Sequence, residues 1–404
     1  MTQRHLRIAL YSHDTMGLGH MRRNLLLAEE LAASPLRPNV LLLSGSREVT
    51  RFAVARGIDV ISLPAIYKDS SATYHARSLE VPLEDVIALR AATILGALRA
   101  YEPDLFVVDN VPRGAVRELD PALAYLRRRG RTRCVLGLRD ILDDAQQVRK
   151  EWTRADNYTA VQRNFDTIWV YGDQSVADLS EEYSFPDDIA ARIRYTGYLD
   201  QRARVASNAP VTAAERVDAD TVLCMLGGGQ DGLALAEVFA RTSFPAPLCG
   251  LLVTGPLMSP ARREGLLQAA SANPRLQVVE FIGNPAAAIR AAHSVITMGG
   301  YNSVCDVLST RTRALVVPRV VPRTEQFIRA ERLAARGLVD MMHPDAVSAG
   351  ALEAWLAQPV SRAASRGVRM HTPEGLHALL RDALDTAPRH TIARRGPEAV
   401  AHAS

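Results

Sequence analysis

Residues 297–326 read TMGGYNSVCDVLSTRTRALVVPRVVPRTEQ, and the fold turns on how this stretch divides. The run that leads into it, Ser294-Val295-Ile296-Thr297, is largely β-branched and apolar, as a strand buried on both faces of a parallel sheet should be. Gly299 and Gly300 then let backbone and ligand approach closely, and the residues after them open a short helix carrying Asn302, Ser303 and Asp306. A helix N-terminus in that position offers free N–H groups and a dipole to an anion. Asp306 falls about a turn and a half beyond Gly300, so its carboxylate would reach past phosphates toward sugar hydroxyls. An apolar strand, Ala314 to Val317, and a loop ending in Glu325-Gln326 complete the unit. Taken alone, the stretch fits a plain strand-turn-helix as well as it fits a phosphate site.

The rest of the chain repeats the pattern. Leu6 to Tyr11 is a first strand, followed by the glycine-containing loop Ser12 to His20 and a helix from about Met21 to Ala33. Gly-x-Gly-His lacks the third glycine of a dinucleotide fingerprint, so NAD is not expected. Strands at Asn39–Ser44, Asp59–Leu63, Leu105–Val108, Arg133–Leu138, Thr167–Tyr171 and Ile193–Gly197 alternate with helices, among them one expected over Val49–Arg56. Asp109-Asn110, Arg139-Asp140 and Gly172-Asp173 stand at strand ends, where open α/β sheets bind ligands. Between Pro64 and Val81 runs a polar loop with Tyr67, Lys68, Tyr74, His75 and Arg77, long enough to cover an acceptor or to be a surface insertion. After a polar stretch the alternation restarts at Thr221–Met225, with the loop Gly227-Gly228-Gly229-Gln230-Asp231-Gly232. The expected organisation is α/β: two Rossmann-like domains facing across an interdomain cleft. Residues 1–200 form an N-terminal acceptor domain, 201–218 a linker and 219–360 a C-terminal donor domain. A helix within 361–388 crosses back toward the first domain, and 389–404 form a frayed tail.

Composition narrows the function classes. At 404 residues the chain exceeds one ordinary core, and 48% hydrophobic with 23% charged residues describes a soluble protein. Of 48 basic residues only Lys68 and Lys150 are lysines, and the formal net charge is +4, so basic residues are scattered rather than gathered into a field. With aromatics at 5%, nucleic-acid binding is not expected. The four cysteines, Cys134, Cys224, Cys249 and Cys305, share no metal-ligand spacing and read as reduced residues of a cytoplasmic protein. No signal region or membrane-spanning run is expected, which leaves open a peripheral membrane contact.

Four segments together resemble the GT-B glycosyltransferases of the glycosyltransferase 28 type, the family that includes the UDP-N-acetylglucosamine transferase of lipid II synthesis. The resemblance is weak over 30–210 and strong over about 221–342. Gly17-Leu18-Gly19-His20 is similar to that family's glycine-histidine loop, which implies a place for Gly17 and Gly19 beside the ligand and for His20 near the reacting centre. Gly228-Gly229-Gln230 resembles its second glycine loop, near the donor diphosphate. Glu280-Phe281-Ile282 resembles the segment that places Ile282 beside the base. Gly300, Asn302, Ser303 and Asp306, followed by Glu325 and Gln326, resemble the ribose- and sugar-binding signature, although the family usually has glutamate for Asp306 and a glutamine pair for Glu325-Gln326. The resemblance implies an inverting transfer from a nucleotide-diphosphate sugar, most simply a UDP-sugar, to a hydroxyl-bearing small-molecule or lipid-linked acceptor. The other readings are a 2-epimerase or hydrolase of the same fold and a non-catalytic sugar-nucleotide binder. No Asp-x-Asp motif follows a strand, so no tightly bound metal or cofactor is expected. His20 is the first candidate base, with His13, Asp14 and Asp109 as rivals. Asp109 would otherwise orient the base, Asp14 would cap the turn, and Arg22 and Arg23 are candidate phosphate contacts.

Overall fold

A computed structural model describes residues 5–15, 19–51, 54–68, 73–200, 216–359 and 367–385. Gly17, most of the expected linker and the expected tail lie outside the described residues. The first half runs β1 (Arg7–Ser12), α1 (Gly19–Ala32), β2 (Asn39–Ser44), β3 (Ile58–Ser62), β4 (Ile66–Lys68), β5 (Tyr74–Ala76), α2 (Leu83–Tyr101) and β6 (Leu105–Asp109). It continues with α3 (Asp120–Arg129), β7 (Arg133–Arg139), α4 (Ala145–Arg154), α5 (Asn157–Asn164), β8 (Thr167–Tyr171), α6 (Leu179–Tyr183), α7 (Asp187–Ala190) and β9 (Ile193–Tyr195). The second half runs β10 (Thr221–Met225), α8 (Leu233–Ala240), β11 (Cys249–Val253), α9 (Pro260–Ser271), β12 (Leu276–Val279), α10 (Pro285–Ala291) and β13 (Ser294–Thr297). It ends with α11 (Tyr301–Thr310), β14 (Ala314–Val316), α12 (Glu325–Ala334), β15 (Asp340–Met341), α13 (Ala349–Leu356) and α14 (Pro373–Asp385).

Two parallel sheets result, of order β3-β2-β1-β6-β7-β8-β9 and β12-β11-β10-β13-β14-β15. The central strands β6, β8, β10 and β13 are buried at every position, because helices cover both faces and leave no polar side to alternate with. In each sheet the strand order reverses next to the first strand, at β1/β6 and at β10/β13. The carboxyl ends of strands at such a reversal bound a crevice that two diverging connections leave open. Both glycine loops therefore open onto crevices.

Two expectations change. The helix expected over Val49–Arg56 is a short 3-10 turn at Arg47–Arg51 among the described residues. The loop from Pro64 to Val81 contains an antiparallel hairpin, with Tyr67 opposite His75 and Lys68 opposite Tyr74. Three-residue strands are too short to show a period.

The two halves share one core. A single buried cluster joins Leu10, Met21 and Leu25 of the first half to Met225, Val295 and Tyr301 of the second, and takes in Leu376 and Leu380 of α14. At roughly 1.5–3 kcal/mol per fully buried aliphatic side chain, this cluster outweighs partly exposed ion pairs such as Arg332–Glu182, worth at most about 1 kcal/mol each. α14 packs along α1, where His371 pairs through Nε2 with Glu30 and accepts a 2.6 Å hydrogen bond from the Asp200 N–H at Nδ1. Among the described residues no helix is long and apolar enough to cross a membrane.

Candidate active site

The end of β6 and the start of α1 meet at the first crevice. Asp109 is fully buried there, and both its oxygens are occupied. Oδ1 accepts from Arg23 Nε at 2.9 Å and Nη2 at 2.8 Å, while Oδ2 accepts from Arg23 Nη2 at 2.7 Å and lies 2.6 Å from His20 Nδ1. Burial pushes the Asp109 carboxyl up, but the Arg23 guanidinium and His20 outweigh it and hold Asp109 well below the usual carboxylate range. A carboxylate that stays ionised accepts the Nδ1 hydrogen of His20, which leaves the Nε2 lone pair free to take a proton. Asp109 thus faces His20 and Arg23, with no oxygen left over for the cleft. Arg23, a candidate phosphate contact in the sequence, is instead turned to Asp109.

The rivals of His20 are placed beside it. His13 is buried, its ring centroid 4.5 Å from that of His20, and burial, reinforced by His20, lowers its pKa well below the ordinary histidine value. Asp14 stitches the loops after β1 and β2: its Oδ2 accepts from Ser12 Oγ at 2.5 Å, Ser44 Oγ at 2.7 Å and the Gly45 N–H at 3.2 Å. Its φ of 47° is one that a short polar side chain tolerates.

The second crevice faces the first. Gly299 has φ 77°, and a Cβ there would lie 2.6 Å from Val316 Cγ1, so the turn needs glycine for its own geometry. At Gly300, by contrast, a Cβ would meet nothing within 4 Å: the N-terminus of α11 opens into space. Asn302, in the first turn of that helix, donates from Nδ2 to the Gly19 carbonyl at 3.0 Å. One hydrogen bond therefore ties the residue before His20 to the glycine turn of the other sheet. Ser303 is half-buried and Asp306 buried on the same helix.

In the loop after β10, Gly229 (φ 88°) packs so closely that a Cβ would stand 2.4 Å from the Thr254 carbonyl oxygen, and Gly228 accepts from the Leu257 N–H at 2.9 Å. Part of this glycine requirement is loop packing rather than ligand approach. Gln230 is exposed. Arg319, which the sequence did not single out, links the loop to α12: it donates to Asp231 Oδ2 at 2.7 Å, to Glu325 Oε1 at 2.7 Å and through its backbone N–H to Gln326 Oε1 at 3.0 Å. Glu325 is buried at 6% exposure, and its Oε2 has no partner among the described residues. Ile282, buried between β12 and α10, has no backbone hydrogen bond among the described residues. No group of three or more His, Cys, Asp or Glu side chains among the described residues is placed to hold a metal ion.

Across the cleft floor a fully buried ion pair joins the halves. Arg329 Nη2 lies 2.7 Å from Asp140 Oδ1, Nε lies 2.8 Å from Asp140 Oδ2, and Nη1 donates to the Gly299 carbonyl at 3.2 Å. Tyr198 donates to the same carboxylate at 2.9 Å. Tyr301 stacks near Tyr198, with the guanidinium of Arg23 5.3 Å and that of Arg329 5.8 Å from its ring centre.

This architecture is the GT-B fold, in which two Rossmann-like domains face each other. It is similar to that of LpCGTa in complex with UDP, with a TM-score of 0.61 at 13% identity over 95% of this chain and 100% of that one. It is similar as well to the protein from Listeria monocytogenes described as a UDP-N-acetylglucosamine 2-epimerase, with a TM-score of 0.62 at 12% identity over 94% and 95% of the two chains. MurG of Acinetobacter baumannii gives 0.52 at 15% identity over 95% and 96%. At such identities the likeness defines the fold. No protein-family model matches the chain, and no curated protein matches it in sequence.

Proposed function

We propose that the chain is a glycosyltransferase of the glycosyltransferase 28 type that moves a sugar from a nucleotide-diphosphate donor, a UDP-sugar, to a hydroxyl acceptor. The observation that carries this reading is the 3.0 Å bond between Asn302 and the Gly19 carbonyl, which sets the oriented His20 beside the open N-terminus of α11. A donor whose diphosphate rests at Gly300 and near Gly228 and Gly229 would present its sugar between that helix and His20. The unpartnered Oε2 of Glu325 is suited to accept from a sugar hydroxyl, Gln326 lies beside it, and Asp306 would take the ribose. Ile282, with its backbone groups uncommitted, would pair with the base.

In the reaction, His20 Nε2 takes the proton of the acceptor hydroxyl as its oxygen attacks the anomeric carbon. The bond from that carbon to the diphosphate breaks on the opposite side, inverting the centre. The helix dipole of α11 and its free N–H groups favour the departing charge. Residues 1–200 would serve the acceptor and 219–360 the donor.

The Listeria structure motivates a second reading, since a 2-epimerase needs no acceptor. Incubation with UDP-N-acetylglucosamine or UDP-glucose and no acceptor separates the two. Transfer predicts an intact donor, with only slow release of UDP. Epimer or free sugar formed at turnover rates rules out a dedicated transferase.

A further inference from the structure

One cation at the cleft floor has no role in the scheme above. Arg139 is the last residue of β7, partly buried, and its Nε is shielded from solvent without a partner. The two arginines that act on it are neutralised, Arg23 by Asp109 and Arg329 by Asp140, and on the donor side Arg319 is neutralised by Asp231 and Glu325. Arg139 makes no hydrogen bond and no ion pair among the described residues. In the β6–β7 register Gly137 lies opposite Asp109, and Asp140, the residue after Arg139, holds Arg329 of α12, so Arg139 stands at the strand ends between Asp109 and α12. Burial lowers its pKa, Glu325 and Asp109 work against that shift, and the like charges of Arg329 and Arg23 add to it. Keeping an unpaired guanidinium there costs stability, and an anion entering the cleft would offset that cost.

The donor side needs such a charge. The turns over 226–232 and 298–302 contain no lysine or arginine. A helix end contributes about half a unit of positive charge, less than a diphosphate carries. We propose that Arg139 binds the β-phosphate of the donor from across the cleft and meets the charge that develops on it as the sugar departs. This rests on the donor reading given above. The acceptor oxygen forms its bond to the anomeric carbon and its proton passes to His20 Nε2. The bond between that carbon and the β-phosphate oxygen breaks, and its electron pair stays on the oxygen. The nucleoside diphosphate therefore leaves with one more negative charge than it carried in the donor. A guanidinium presents paired N–H donors that match phosphate oxygens in a way a single ammonium does not.

Calorimetric titration of UDP and UMP into the unaltered chain, R139Q and R139K tests the assignment. R139Q is expected to lose about 10- to 100-fold in UDP affinity and less than about threefold in UMP affinity, with R139K between R139Q and the unaltered chain. Retained UMP binding shows that the variant is folded. UDP affinity in R139Q within about twofold of the unaltered chain overturns the assignment, as does an equal loss for UDP and UMP, which would place the effect in the shape of the pocket. Failure of the unaltered chain to bind UDP overturns the donor reading itself and this inference with it.

Discussion

Replacing His20 with alanine is expected to lower the rate of sugar transfer by about 10²- to 10⁴-fold while leaving UDP affinity within about twofold of its original value, the range a lost general base produces. The expectation follows from the direction of the Asp109 contact. Asp109 is fully buried and held ionised by Arg23, so it can only accept from His20 Nδ1, and the lone pair at Nε2 is what the cleft receives. UDP released in the presence of acceptor gives the rate, and calorimetry gives the affinity. A variant that transfers sugar within threefold of the original rate would mean that His20 is not the base, and His13, with its ring centroid 4.5 Å from that of His20, would be the next to test.

The second large effect concerns stability. Asp140→Ala or Arg329→Ala is expected to destabilise the chain by about 3–5 kcal/mol, because removing one member of a fully buried pair leaves the other charged and buried with only neutral partners, Tyr198 for Asp140 and the Gly299 carbonyl for Arg329. Thermal unfolding of a 404-residue chain with one shared core should shift downward by about 5 °C. Replacing both, as in Asp140→Leu with Arg329→Met, should recover most of the loss, since the cost lies in the stranded charge rather than in the missing attraction. Arg332→Ala, at the partly exposed pair with Glu182, should cost about 1 kcal/mol or less. If the single buried substitutions cost no more than that, water reaches the pair and the halves separate more readily than their shared core implies.

The parts of this molecule that were legible in its sequence are those whose signal is local. Ser294 to Thr297 could be read as a buried strand because four neighbouring residues carry the pattern, and Gly299-Gly300 marks a turn wherever it occurs. Alternation of such units was enough for two Rossmann-like halves. The hairpin Ile66–Lys68 with Tyr74–Ala76 escaped because each strand spans three residues. Side-chain pairings escaped for another reason. Arg329 finds Asp140 189 residues away, and Arg23 finds Asp109 86 residues away. Nothing beside either arginine in the chain announces its partner. Asn302 stands at a ligand-binding position of the resembled family, yet its Nδ2 is spent on Gly19, 283 residues distant. Arg139 was visible as a strand-end residue, but its want of a partner is a property of the folded cleft alone.

The most direct test of the central claim is a crystal structure of the chain with UDP. Its diphosphate is expected at the Gly300 end of α11, within hydrogen-bonding reach of that helix's first N–H groups, with the uracil against Ile282 and the ribose at Asp306. UDP bound away from both glycine turns, or no UDP bound at millimolar concentration, would contradict the assignment of this cleft to a nucleotide-sugar donor.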